Sequence, residues 1–175
     1  MNGRRSVLQA LAATASLAGL RVSAAPAEAV AQAPAAAAST VPARVLPLLG
    51  GGALDEAFLD GVAQAVRRQG AGREPLARLG LDAPSLAHLT RRLDGDAAPR
   101  RVVALLDDAG ATLALDLLRA QGAQVEAYEP LRLPLTAAGA EAARAIGQAL
   151  AQGQSLPATA AASAGLPCVA LACLI

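Results

Sequence analysis

Acidic and glycine residues directly follow three predicted strands of the chain, a pattern that can build a ligand site. The three groups are Gly50–Gly52, the pair Asp107 and Asp108, and Glu129. In an open sheet with parallel strands, ligands bind beyond the carboxyl ends of the strands. The three groups are therefore expected to meet at one edge and to form a pocket with a glycine floor and carboxylate walls.

The glycine triplet has two interpretations. Its backbone amides can approach a phosphate at the start of the following helix, or the triplet can be a simple tight turn. The chain has no G-x-G-x-x-G pattern, and it has no lysine with which to complete a P-loop. Asp55 and Glu56 would also repel an anion at this helix start. The pattern therefore favours a tight turn.

The Asp107–Asp108 pair also has two interpretations. Two carboxylates are ligands suited to Mg²⁺ or Ca²⁺, and a strand that ends in acids resembles the opening of receiver domains and of haloacid-dehalogenase-like domains. The second Asp of the dehalogenase-like motif is absent, because Ala109 and Gly110 follow, and no lysine occurs later in the chain. The favoured interpretation is structural: Asp108 caps the next helix, and Asp107 is solvated.

Two further pairs are weaker candidates for chemistry. Ser85 and His88 share a face of a short predicted helix, but no acid is placed to orient the histidine as a base, so a surface histidine is favoured. Cys168 and Cys173 would face opposite sides of a strand and lie about 16 Å apart, beyond disulfide reach. Both cysteines are therefore expected to be small buried hydrophobes.

The elements that must position these residues follow from hydrophobic periodicity. Apolar runs predict strands at 45–49, 102–106 and 168–175, and a further strand is predicted at 124–128. Repeats of three and four residues predict helices between the strands. This alternation indicates an α/β protein, a single three-layer α/β/α sandwich with a mostly parallel sheet over residues 44–175. Pro47 favours an edge position for the first strand. The last, wholly apolar run is expected to be buried on both faces.

The composition narrows the classes of function. The chain has 175 residues, 15 Lys plus Arg, 14 Asp plus Glu and a formal net charge of +1. A net charge near zero gives no electrostatic basis for binding nucleic acid or an anionic membrane. Two aromatic residues, Phe58 and Tyr128, provide no stacking platform for bases. No cofactor motif is present in the sequence.

Residues 1–24 predict a secretory signal peptide. Arg4 and Arg5 precede an uncharged run at 7–20, and Val22 to Ala24 are small enough for a signal peptidase. The apolar run of about 14 residues is shorter than the 20 or so that span a bilayer, so no stable membrane insertion is expected after cleavage. Cleavage is predicted after Ala24 or at a later alanine. Residues 25–43, rich in Ala and Pro, predict a flexible linker.

The segment from Gly3 to Gln9 resembles a twin-arginine export signal, with Val7 in place of the usual Phe and Gln9 in place of the frequent Lys. The resemblance implies that the Tat export machinery is a partner, that the chain folds before export, and that it is periplasmic or secreted. An ordinary secretory signal that contains Arg-Arg is the alternative.

Two parts of the body resemble type 1 periplasmic ligand-binding proteins. They are Leu48–Gly52 with the helix segment Ala57–Val62, and Arg101–Gly110 with the later segment Leu117–Val125. That family has two lobes and about twice this length, so the resemblance implies a one-lobe or shortened relative. No ligand residues carry over.

Three hypotheses for function follow. The first is an exported, non-catalytic module that binds a small ligand or a protein partner at the carboxyl edge. The second is a metal-assisted hydrolase that uses Asp107 and Asp108. The third is an interaction domain whose apolar C-terminal segment pairs with another chain. The sequence leaves open whether the protein is an enzyme.

Overall fold

A computed structural model describes residues 44–94, 98–157 and 165–175. The predicted signal peptide and linker, residues 1–43, lie outside the described residues. Six strands and four helices lie within the described ranges. In chain order they are β1 Arg44–Leu49, α1 Asp55–Gln69, β2 Gly72–Arg73, β3 Ala77–Arg78, α2 Ala83–Leu93, β4 Arg100–Leu106, α3 Asp108–Ala120, β5 Gln124–Leu133, α4 Ala137–Gln152 and β6 Leu166–Leu174.

Residues at the helix ends explain where the helices start and stop. Asp82 caps α2 by accepting a hydrogen bond from Ser85 N, and Thr136 caps α4 in the same way through Gly139 N. Gly70 ends α1 in the left-handed conformation that favours glycine. Asp and Thr before a helix and Gly after it are typical signals of helix ends in a sequence. None of the described helices is long and apolar enough to cross a membrane.

The α/β class is confirmed, but the sheet is mixed rather than mostly parallel. The strand order is β2-β1-β4-β6-β5, and β3 also pairs with β1. Strands β1 to β4 pair in parallel, whereas β6 is antiparallel to both of its neighbours, β4 and β5. Helix α4 ends at Gly153, beside Arg101 at the start of β4, whereas β6 follows Gly165, which lies beside Leu133 at the end of β5. Strand β6 therefore begins beside the ends of β4 and β5 and runs back along both.

Strand β1 is an interior strand, although Pro47 favoured an edge. Its outer neighbour is broken into two dipeptide strands: β2 pairs with Arg44 and Val45, and β3 pairs with Leu48 and Leu49. Pro47 lies opposite the break, so no residue of the neighbouring strand needs a hydrogen bond from the N–H that proline lacks. The proline therefore fits an interior strand because the neighbouring strand is interrupted beside it.

Two hydrophobic clusters lie on opposite faces of the sheet. Alternate residues of β4 divide between them, since Val103 and Leu105 pack with α1 and α4, while Val102 and Ala104 pack with α2 and α3. Strand β6 contributes Ala170 and Ala172 to the first cluster and Val169, Leu171 and Cys173 to the second. The prediction that this segment is buried on both faces is confirmed. Its position is central, between β4 and β5.

Helices α1 and α4 approach each other closely at two glycines. A Cβ atom at Gly61 would lie 1.9 Å from the carbonyl oxygen of Arg144, and one at Gly147 would lie 2.3 Å from the carbonyl oxygen of Phe58. Each glycine thus lies against the backbone of the other helix. Gly61 of α1 faces Arg144 of α4, and Gly147 of α4 faces Phe58 of α1. The crossing has no room for any other residue at either position without a shift of the helices.

Candidate functional site

The carboxyl ends of β1 and β4 lie side by side, and β6 begins at the same edge because it is antiparallel to β4. A pocket of about 250 Å³ lies there. We call it the carboxyl-edge pocket. It is lined by Gly50–Asp55, by Leu105–Asp107 and by Leu166–Cys168. Two of the predicted groups, the glycine triplet and Asp107, are therefore brought together as expected.

The glycine loop of this pocket is closed by a carboxylate from its own helix. Gly51 has a φ of +87°, which favours glycine, and its N–H donates a 2.9 Å hydrogen bond to Asp55 Oδ2. Burial raises the pKa of Asp55, while hydrogen bonds from Gly51 and Gly52 and the positive charge of Arg78 oppose the rise. The tight-turn interpretation of the triplet therefore fits better than phosphate binding, because the Gly51 amide is already occupied.

Asp55 was not among the predicted site residues. From the sequence it counted only as a charge that would repel an anion at this helix start. The signal that could have identified it is its spacing, because an acid four residues after Gly51 can reach back to the loop amide.

Asp107, not Asp108, caps the helix that follows β4. Asp107 Oδ1 accepts a 2.6 Å hydrogen bond from Gly110 N, and the helix begins at Asp108. The prediction that Asp108 caps the helix and that Asp107 is solvated is therefore wrong, because the cap is the residue before Asp108. Both side chains are exposed, but Asp107 lines the carboxyl-edge pocket and Asp108 does not.

Glu129 lies apart from the other predicted residues. Strand β5 does not end at Tyr128 but continues to Leu133, paired with β6 throughout, so Glu129 lies within the strand. Pro130 fits there because β5 is an edge strand. Glu129 lines a second pocket of about 510 Å³, beside the carboxyl end of α4. The expected meeting of all three groups at one edge is wrong for this residue.

A partly buried ion pair that sequence reasoning missed, Arg101 with Glu126, contributes its Glu126 side to the lining of the second pocket. The side chain of Arg101 is 5% exposed, and it contacts Glu126 through hydrogen bonds of 2.6 and 3.0 Å. An irregularity in the β5–β6 register lies at Glu126, and such bulges re-aim a side chain. Arg101 also donates to the carbonyl oxygen of Ala151 at the end of α4. The pair ties β4, β5 and α4 together.

The Ser85 and His88 pair is not arranged as a nucleophile with its base. Ser85 Oγ donates a 2.7 Å hydrogen bond to Asp82 Oδ2, and this bond, with a second one from Ser85 N, lowers the pKa of Asp82. His88 is exposed on α2, in agreement with the surface interpretation.

The two cysteines are free and lie on opposite faces of β6. Cys168 packs against the α1–α4 cluster, and Cys173 packs in the α2–α3 cluster. Burial raises the pKa of both thiols, that of Cys173 to about 11. The predicted role as small hydrophobes is therefore confirmed for Cys173, which is fully buried, and Cys168 is partly buried.

Comparisons with models of protein families, with curated proteins and with solved structures found no match for this chain. The chemistry of the site therefore has to be argued from its own residues. Over 44–94, 98–157 and 165–175, no three His, Cys, Asp or Glu side chains are grouped so that they could hold a metal ion.

Removing the Asp107 cap should have a small, defined effect. We expect Asp107→Ala to lower the free energy of unfolding by about 1 kcal/mol, because the amide of Gly110 loses its acceptor. Asp107→Asn should cost less, since Asn is also a good N-cap. Urea denaturation measures both values, with Asp108→Ala as the neighbouring control. A saturable rise in melting temperature on adding Mg²⁺, dependent on Asp107, would contradict a purely structural role.

Proposed function

We propose that this protein is an exported, non-catalytic module that binds a small ligand in the carboxyl-edge pocket. The observation that carries the proposal is the position of the pocket. It lies beyond the ends of two parallel strands, where open α/β sheets bind their ligands, and it combines apolar walls with two carboxylates. Apolar walls with a few polar groups are typical of small-molecule sites.

The arrangement of the sheet supports a three-layer sandwich as the frame of this site. Two helices pack on each face, α1 and α4 on one and α2 and α3 on the other. In such a frame the loops at the carboxyl edge are fixed by the buried strands beneath them. A rigid edge of this kind favours a preformed pocket.

The observations give less support to the hydrolase and to the interaction domain. The Asp107 carboxylate is used as a helix cap, and Asp108 lies outside the pocket. A metal site made from this pair would therefore have only one of its two carboxylates in the pocket. Both edges of β6 are paired within the chain, so this segment has no free edge for a second protein.

A blocking substitution tests the binding function. The full chain is titrated with a panel of small amines, alcohols and carboxylic acids while the backbone amide signals of Gly50–Gly52 are followed by NMR. We expect at least one compound to shift these signals saturably. Ala53→Trp, at the mouth of the pocket, should abolish the shifts, whereas Ala87→Trp on the exposed face of α2 should not. The proposal fails if no compound shifts the loop signals.

Export through the twin-arginine route is the second part of the proposal, and it is supported by the sequence of residues 1–24. Arg4→Lys combined with Arg5→Lys should leave the precursor in the cytoplasm, because the paired arginines are the recognised feature of this signal. Fractionation and immunoblotting of expressing cells measure the effect. Processing of the double variant at the normal rate would assign the signal to the general secretion route instead.

A further inference from the structure

The carboxyl-edge pocket differs from an ordinary anion site at helix N-termini. Helices α1 and α3 both begin at this edge, and free N–H groups at such ends usually attract anions. Here the two nearest amides are already bound by carboxylates of the chain itself: Gly51 N donates to Asp55, and Gly110 N donates to Asp107. An incoming phosphate or carboxylate would have to displace a negatively charged group to reach either amide.

The charges around the pocket point in the same direction. Asp55 and Asp107 line it, and none of the described residues that line it is basic. Arg78 is near enough to Asp55 to oppose the rise of its pKa, but it lies outside the pocket. The partly buried Asp55 carboxylate thus has a desolvation cost that a cation inside the pocket would reduce.

The size and walls of the pocket limit the ligand further. A volume of about 250 Å³ holds roughly eight non-hydrogen atoms, if each takes the share of one liquid water. Leu54, Leu106 and Leu166 provide apolar wall. The ligand body should therefore be short and apolar.

We propose that the carboxyl-edge pocket binds a small organic ammonium ion, with its charged group between Asp55 and Asp107 and its apolar skeleton against the leucine walls. This inference rests on the proposed binding function and adds the chemical class of the ligand. The chain's own carboxylates occupy the amides of Gly51 and Gly110, so the pocket selects for hydrogen-bond donors with positive charge.

Three probes with the same four-carbon chain test the ligand class: n-butylammonium, 1-butanol and butyrate. Each is titrated into the full-length chain while the amide signals of Gly51, Gly52 and Gly110 are recorded by NMR. We expect saturable shifts with n-butylammonium at an affinity on the order of 1 mM, as suits so small a ligand. Butyrate should bind at least about tenfold more weakly, because it meets two carboxylates.

Matched variants test the two carboxylates. Asp55→Asn and Asp107→Asn each keep a side-chain oxygen that can accept the amide hydrogen bond while removing the charge. Each should weaken n-butylammonium binding about fivefold, the effect of one solvent-accessible ion pair. Asp116→Asn, the same change on an exposed position of α3, should leave the affinity unchanged. Thermal melting checks that all three variants fold.

The possible failures are distinguishable. Binding of butyrate or 1-butanol as tight as that of n-butylammonium would overturn the ammonium class and leave the pocket as a ligand site. Shifts with n-butylammonium that persist unchanged in both carboxylate variants would also overturn it. If all three probes are silent while an alcohol or a carboxylic acid of the broader panel binds, the ligand class is wrong and the binding function stands. Binding of another amine of that panel, weakened by both carboxylate substitutions, would support the class. Silence from every compound overturns both proposals.

Discussion

Gly61→Val is expected to destabilise this domain severely. A Cβ atom alone would lie 1.9 Å from the carbonyl oxygen of Arg144, and backbone on a packed helix cannot rotate away as a flexible side chain can. Helices α1 and α4 would have to separate, which would open the cluster that contains Phe58, Val62 and Ile146. Overpacking commonly costs 1–3 kcal/mol and sometimes more. Because the clash is with backbone, we expect a loss of about 4 kcal/mol, a large fraction of the roughly 5–15 kcal/mol by which a domain is stable.

Urea denaturation followed by circular dichroism measures this loss. Gln64→Val introduces the same side chain at an exposed position of the same helix, and it should change the free energy of unfolding by less than about 0.5 kcal/mol. Gly147→Val should repeat the effect of Gly61→Val from the opposite helix. A cooperative unfolding transition of Gly61→Val within about 1 kcal/mol of the unaltered chain would mean that the helices do not cross at these glycines.

Deletion of residues 166–175 should leave the rest of the domain unfolded or insoluble. Strand β6 is the only described partner of β5, and it is also one of the two strands that pair with β4. Its residues Val169 and Leu171 are 2% and 0% exposed, and full burial of such side chains contributes about 1.5–3 kcal/mol each. The stabilising free energy lost with both ladders and both apolar faces exceeds the net stability of a domain of this size.

A point substitution tests the same element without shortening the chain. Leu171→Asp places an unpaired charge at the centre of the sheet and should abolish cooperative melting. Leu135→Asp, at a position that is 60% exposed, makes the same chemical change and should leave the melting temperature nearly unaltered. Soluble, folded protein after either the deletion or Leu171→Asp would mean that β6 is not a central strand.

The sequence predicted the elements better than their arrangement. Hydrophobic periodicity identified the strands around Val102–Leu106 and Cys168–Ile175 and the four helices, because burial sets which residue types occur at which spacing. Periodicity carries no information on strand direction. Strand β6 is antiparallel to β4 and β5, a direction that the pattern of apolar residues does not encode. The mostly parallel sheet was therefore inferred from alternation alone.

The candidate site was predicted in part for similar reasons. Loops that follow parallel strands share one edge of the sheet. This rule placed Gly50–Gly52 and Asp107 correctly, since β1 and β4 are parallel neighbours. It failed for Glu129 because β5 extends past the expected end while β6 pairs with it. The Arg101–Glu126 pair depends on a local irregularity of the β5–β6 register, and no local sequence signal distinguishes such a bulge from regular strand.

The strand order also fixes when the sheet can be completed. Of the described strands, β6 is the last to be synthesised, yet it lies between β4 and β5. Its pairing with β4 joins Leu106 to Val169, far apart in the sequence, and such distant pairings form late and slowly. A ribosome-bound chain that lacks residues 166–174 therefore holds β4 and β5 without the strand that lies between them. On the proposed twin-arginine route, which implies folding before export, only chains whose synthesis has passed β6 would be ready to leave the cytoplasm.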